Sequence, residues 1–147
     1  MGCLLMKGAS DMRLIEYKVI KTYFEYNELF QSMSGVIDIQ PAFERQIIKV
    51  DDTKYRIKLT VKITSQMNKK PIPFEAEAVI MALFEFDQWE DSSRYYIAIN
   101  NATAIMFPYL RTLLSTITTN GNIPPYCLPI MNVTKLFGEP SITKNVL

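Results

Sequence analysis

The 147-residue sequence contains no histidine. That absence removes the commonest general base and the commonest metal ligand, and with them any Ser-His-Asp or Cys-His arrangement within one chain. Two cysteines, Cys3 and Cys127, are too few for a disulfide framework or a four-cysteine zinc site. Only five glycines are present, and none are spaced as a dinucleotide fingerprint or a phosphate loop. No apolar run approaches the ~18 residues of a membrane span. The run Cys3-Leu4-Leu5-Met6 is too short for a signal peptide, and Met6 stands where myristoylation of Gly2 needs Ser or Thr. Sixteen basic and fifteen acidic side chains nearly cancel, which argues against nucleic acid or an anionic membrane as the main partner. The expectation is a cytoplasmic binding protein rather than an enzyme, with no cofactor, no metal and no membrane insertion.

What is plentiful is apolar surface, 48% of the residues in a chain sized for one domain. Residues 1–13 have no periodicity and read as a loose tail, residues 14–138 as one domain, and 139–147 as a short second tail. Ile15 to Tyr26 reads as a strand, Phe30 to Gly35 as a loop, and Val36 to Ile39 and Phe43 to Val50 as strands broken at Pro41. Tyr55 to Thr64 alternates strictly. Tyr55, Ile57, Leu59, Val61 and Ile63 take one face, and Arg56, Lys58, Thr60, Lys62 and Thr64 the other. Phe74 to Phe86 is a second long strand that starts half-polar and becomes apolar on both faces.

Beyond Ile97 the period becomes helical, with Ala104, Phe107, Leu110, Leu113 (or Leu114) and Ile117 in one stripe and Asn120-Gly121 as the stop. Pro108 inside that stripe predicts a kink. Three prolines force Ile123 to Pro129 to be extended, and Asn132 is placed to cap a short helix through Phe137. Strands first and helices last indicate an α+β fold: a four-stranded antiparallel sheet, with a long kinked helix and a short C-terminal helix packed on one side.

The charged clusters carry little chemistry. Asp51-Asp52 and Glu90-Asp91 read as turns. Glu75 and Glu77 share one strand face, but without a partner nucleophile they read as a solvated or protein-docking patch. Arg56, Lys58 and Lys62, with Lys69 and Lys70, read as a solvated sheet face. The apolar excess on both faces of Phe74–Phe86 calls for oligomerisation, an exposed partner groove, or both.

The run Asn101-Ala102-Thr103-Ala104-Ile105-Met106-Phe107-Pro108-Tyr109-Leu110-Arg111 resembles the start of the long helix of the SecB family of export chaperones. Asn120-Gly121-x-Ile123-Pro124-Pro125 resembles that family's Gly-x-Phe-Pro turn, and Leu128-Pro129-Ile130-Met131-Asn132-Val133-x-x-Leu136-Phe137 its Leu-Ala-Pro-Val-Asn-Phe-x-x-Leu-Phe segment. With weaker matches upstream, the resemblance spans about Ile15 to Phe137. It implies an ATP-independent holdase that binds unfolded preproteins and hands them to the SecA motor. It also implies a homotetramer built as a dimer of dimers around the long helices. Phe74, Ala76, Ala78 and Ile80 would then line a client groove, with Ile123, Pro124, Pro125, Tyr126 and Leu128 in its wall. Glu25, Glu75 and Glu77 would form the acidic docking face. Ala104, Phe107, Leu110, Leu113, Leu114 and Ile117 would form the interface helix. SecB-like proteins also shield antitoxins of toxin–antitoxin pairs, and the alternative client is an antitoxin. A further alternative is an oligomeric adaptor that keeps the fold without the groove.

Overall fold

The computed structural model describes residues 12–31, 37–89 and 92–144. Residues 1–11 of the tail expected over 1–13, most of the Phe30–Gly35 loop, Val36, the Glu90-Asp91 turn and the last three residues lie outside them, while Met12 and Arg13, also expected in that tail, begin the first strand. In chain order the elements are β1 (Met12–Tyr26), β2 (Ala42–Lys49), β3 (Lys54–Ile63), β4 (Phe74–Phe86), α1 (Ser92–Asn120), α2 (Val133–Phe137) and β5 (Ile142–Lys144). The strands form one sheet in the order β1-β4-β3-β2-β5, antiparallel except that β5 runs parallel to β2.

The expected four antiparallel strands are thus corrected to five in a mixed sheet. Ile142 packs on the core opposite Ile47, and Ile142–Lys144 pair with part of β2's otherwise free edge. Three residues are too few to show a strand period in sequence. The strand expected over Val36–Ile39 does not form in its described part. Gln40 instead donates its amide to Asn68 Oδ1 at 2.8 Å, which hooks this segment to the β3–β4 loop.

Alternation builds the sheet's two faces. Tyr55, Ile57, Leu59, Val61 and Ile63 of β3 are buried, as are Phe74, Ala76, Ala78, Ile80, Ala82, Phe84 and Phe86 of β4. β1 keeps the same sense over fifteen residues only because its register shifts twice, between Leu14 and Glu16 and between Val19 and Lys21. Each shift inserts one residue, Ile15 and then Ile20. Leu14, Tyr17, Val19, Thr22 and Phe24 therefore share the buried face's side of the sheet, opposite Phe84, Ala82, Ile80, Ala78 and Ala76. Arg13, Glu16, Lys18, Lys21, Tyr23 and Glu25 share the outward side.

α1 crosses the inner face and buries Ala98, Ile99, Ala102, Met106, Phe107, Leu110 and Leu114. It is continuous across Pro108. Pro108 and Ala104, four residues earlier, both lie on the exposed side, so the carbonyl that Pro108 leaves without an N–H partner belongs to a solvent-facing position. The helix stops where Gly121 donates to the Ile117 carbonyl at 3.1 Å and Asn122 enters the left-handed region at φ 60°. α2 has the expected cap: the Asn132 side chain accepts from the Lys135 amide at 3.0 Å, and Gly138 ends it at φ 71°.

Gly121 also sits against β1. A Cβ there would lie 2.4 Å from Phe24 Cζ, and Phe24 in turn stacks on Phe74 at 5.8 Å. Gly121→Ala is expected to lower stability by about 1–2 kcal/mol in urea unfolding. Combining it with Phe24→Leu should recover part of that loss. No loss in the single variant would mean that the ring swings away freely.

Candidate functional site

α1 leaves a crevice of ≈ 470 Å³ between itself and β1, lined by Tyr17, Pro108, Tyr109, Thr112, Leu113 and Thr116. Pro108, Thr112 and Thr116 recur every four residues, as do Tyr109 and Leu113, so two adjacent rows of one helix face form its wall. The Tyr17 and Tyr109 rings meet at 4.9 Å across it. Burial, with Tyr109 a lesser cause, raises the Tyr17 pKa, so the phenol stays neutral throughout the physiological range. Leu14 and Val19, on the same side of β1 as Tyr17, are exposed, as is Ile105, one turn before Tyr109 on α1. The surface is apolar with a few hydroxyls, and nothing in it is arranged to perform proton transfer or nucleophilic attack. Among the described residues no group of three His, Cys, Asp or Glu side chains is gathered as a metal site requires.

The Pro-rich segment folds back along the last turns of α1. Arg111 Nε donates to the Leu128 carbonyl at 3.0 Å, and Ser115 Oγ to the Tyr126 carbonyl at 3.0 Å. The buried Thr118 Oγ1 accepts from the Tyr126 amide at 2.9 Å while donating to helix carbonyls. Tyr126 meets Phe74 edge-on at 6.2 Å. Burial, then the Asp38 carboxylate, pushes its phenol above the usual pKa. Leu128 is buried, Ile123 and Tyr126 are half-buried, and Pro124 and Pro125 are exposed. Ile130, just beyond, is 90% exposed.

The structure divides the residues that sequence singled out. Phe74, Ala76, Ala78 and Ile80 lie together but beneath α1, at most 2% exposed, as part of the chain's own core. Phe107, Leu110 and Leu114 of the expected interface stripe also face that core, Leu113 and Ile117 are half-buried, and Ala104 is exposed. The helix's exposed large apolar residues are instead Tyr96, Ile97, Ile105 and Tyr109. Sequence reasoning missed Tyr17, Tyr109, Thr112 and Thr116. The four-residue recurrence beside the apolar stripe was the available signal, and threonines on a helix do not read as a binding wall.

Glu25, Glu75 and Glu77 do meet on one surface, the outward face at the β1–β4 end, where Glu25 is opposite Glu75 and Tyr23 opposite Glu77. Tyr23 donates to Glu25 at 2.6 Å, and that bond is the main reason its own pKa is raised. Lys21 pairs with Glu77 at 3.0 Å. Glu75 accepts from the Ser65 amide at 2.8 Å and lines a polar hollow of ≈ 440 Å³ with Glu25, Glu28 and Asn27.

Thr118 holds the loop against the helix. Thr118→Val keeps the shape but leaves the Tyr126 amide without its acceptor. The expected result is a loss of about 1–3 kcal/mol, with faster hydrogen exchange at that amide. Unchanged exchange would show that the loop is held elsewhere.

Residues 24–143 match the family model described as preprotein translocase subunit SecB. The protein-export protein SecB of Saccharophagus degradans is 28% identical over 106 residues, covering 72% of this chain and 63% of that protein. An uncharacterised protein of Methanocaldococcus jannaschii is 41% identical over 84 residues, covering 56% of this chain and 52% of its own length. The chain thus spans less than two thirds of either relative. In fold it is similar to the Mycobacterium tuberculosis SecB-like chaperone solved with a ChAD peptide from the HigA1 antitoxin. The TM-score is 0.64 at 18% identity, over 85% of this chain and 94% of that one. The match to the family model covers β2, β3, β4, the long helix, the folded-back loop and α2 but only the last three residues of β1, and it places this chain in the SecB family.

Proposed function

We propose that this protein is an ATP-independent holdase that seats apolar segments of unfolded polypeptides in the crevice between β1 and α1. The observation that carries the reading is the crevice itself, an apolar wall of Tyr17, Pro108, Tyr109 and Leu113 open to solvent beside exposed Leu14 and Val19. A fully buried aliphatic or aromatic side chain contributes about 1.5–3 kcal/mol. A few such contacts hold a client without reading its sequence and release it without an energy source. Ile123, Pro124, Pro125, Tyr126 and Leu128 extend the wall. Phe74, Ala76, Ala78 and Ile80 are the floor on which α1 rests, and a client reaches them only when α1 lifts.

The clients are unfolded preproteins for export or an antitoxin segment. Membership of the SecB family supports the export reading, and the fold shared with the mycobacterial chaperone bound to an antitoxin peptide supports the antitoxin reading. Glu25, Glu75 and Glu77 would serve as the docking corner for the SecA motor. The assembly is a dimer of dimers, in which β1's free edge and the helix residues Ile97, Ala104 and Ile105 find partners. Among the described residues no helix is long and apolar enough to cross a membrane, and the chaperone acts in the cytoplasm.

The direct test is suppression of aggregation of a chemically denatured protein at near-stoichiometric ratio. The wild-type chain should suppress it. Tyr109→Asp with Thr112→Asp, which place two charges in the crevice at exposed positions, should weaken client affinity roughly tenfold by burying unpaired charge. Glu77→Lys should leave capture intact and lower SecA binding. No suppression by wild type at excess would overturn the reading, and full capture by the double variant would move the site elsewhere.

A further inference from the structure

The outward face of the sheet carries two zones of charge. One is the acidic corner of Glu25, Glu75 and Glu77. The other runs along β3, whose outward positions are Lys54, Arg56, Lys58, Thr60 and Lys62. Lys54 pairs with Asp51 at 3.7 Å. Among the described residues, Arg56, Lys58 and Lys62 have no carboxylate within ion-pair distance, and the buried Arg56 Nε–H has no acceptor. Their strand neighbours explain this. Arg56 lies between Ile48 and Leu83, and Lys58 between Gln46 and Met81. Lys62 lies opposite Glu77, but that carboxylate is drawn to Lys21 on the other side.

Between β3's cations and the lysines of β1 runs a lane of three apolar side chains on the same outward face, Val79, Met81 and Leu83 of β4. Val79 is only 4% exposed, and Met81 and Leu83 are half-buried among the longer charged side chains beside them. An apolar lane edged by unpaired cations spaced two residues apart is complementary to an extended segment that alternates carboxylates with apolar residues. Both chains then repeat at about 6.8 Å. A polynucleotide suits the face less well. Glu16, Glu44 and Glu85 are interspersed among the cations, and the described aromatic on this face, Tyr23, stands at the acidic corner rather than among the cations.

We propose that the outward face along β3 and β4 docks an acidic, apolar-alternating polypeptide segment of a partner protein, separately from the client crevice on the opposite side of the sheet. Arg56, Lys58 and Lys62 supply the charge complementarity, and Val79, Met81 and Leu83 supply the apolar contact. The proposal does not depend on the holdase reading, because its site shares no residue with the crevice.

The experiment is fluorescence anisotropy with a labelled short peptide of alternating glutamate and leucine, its glutamine–leucine counterpart, and a short oligothymidylate. The glutamate peptide should bind more tightly than the glutamine peptide, and its affinity should fall as salt rises. Lys58→Glu with Lys62→Glu should weaken it roughly tenfold while leaving aggregation suppression unchanged. If that reversal lowers the thermal midpoint, Lys58→Gln with Lys62→Gln carries the same test with a smaller expected loss. Equal binding of the two peptides, or no response to either pair of substitutions, overturns the proposal. So does oligothymidylate binding as tight as the peptide's with the same response, which would make the face a general polyanion site. A sedimentation mass that drops in the reversal variant would assign the face to a second copy of the chain and overturn it equally.

Discussion

One helix has to cover a sheet wider than itself. Five strands about 4.8 Å apart span roughly 19 Å, and a helix with its side chains is about 10–12 Å across. α1 therefore needs a seat, and it is built from small residues. Ala76, Ala78 and Ala82 on β4 and Ala98 and Ala102 on α1 are all buried. They let the helix lie close over the sheet's centre while Met106, Leu110 and Leu114 fill the space along it. Every other apolar feature of the molecule follows from what that placement covers and what it leaves open.

The cover is locked on one side and loose on the other. Toward β2, Arg45 donates to Asn100 at 2.6 Å and to Thr103 at 3.1 Å, and its guanidinium lies 4.7 Å from the centre of the Phe137 ring. Asn100 donates in turn to the Gly138 carbonyl, which ties α1, α2 and β2 together. Burial is the cause of Arg45's lowered pKa, and the group remains charged because its reference value is so high. Phe43 adds a ring contact with Phe107 at 5.5 Å. Toward β1 no such lock is present among the described residues. The Tyr17–Tyr109 contact and the Phe24–Gly121 approach mark the two ends, and the crevice lies along the helix edge beside the first. The crevice proposed to take clients thus lies on the side where the helix has not been fastened down.

Much of this was legible in the sequence. β3 and β4 read correctly because their alternation is long, and α2 because Asn132 and Gly138 are explicit start and stop signals. Helix α1 was recognised by its stripe, but its start lay five residues earlier than Ile97, since Ser92–Tyr96 carry no apolar period. β5 was invisible because a three-residue strand exists only by pairing with an edge already in place. The candidate site was legible as an excess rather than as a location. Sequence shows that Phe74–Phe86 has more apolar surface than one helix can hide. It does not show that Phe74, Ala76, Ala78 and Ile80 win the competition for α1, while Leu14 and Val19 on the neighbouring strand lose it. Glu25, Glu75 and Glu77 share a surface because residues two apart on a strand share a face and β1's second register shift brings Glu25 opposite Glu75.

The central claim is that an unfolded chain enters between β1 and α1. Site-specific photocrosslinking reads this most directly, with a photoreactive side chain placed at Thr112 in the crevice or at the exposed Thr134 on α2, which belongs to neither proposed site. Incubated with a denatured client, the Thr112 probe is expected to capture it and the Thr134 probe to leave it free. Capture from Thr134 alone, or from neither position while aggregation is still suppressed, would contradict the account.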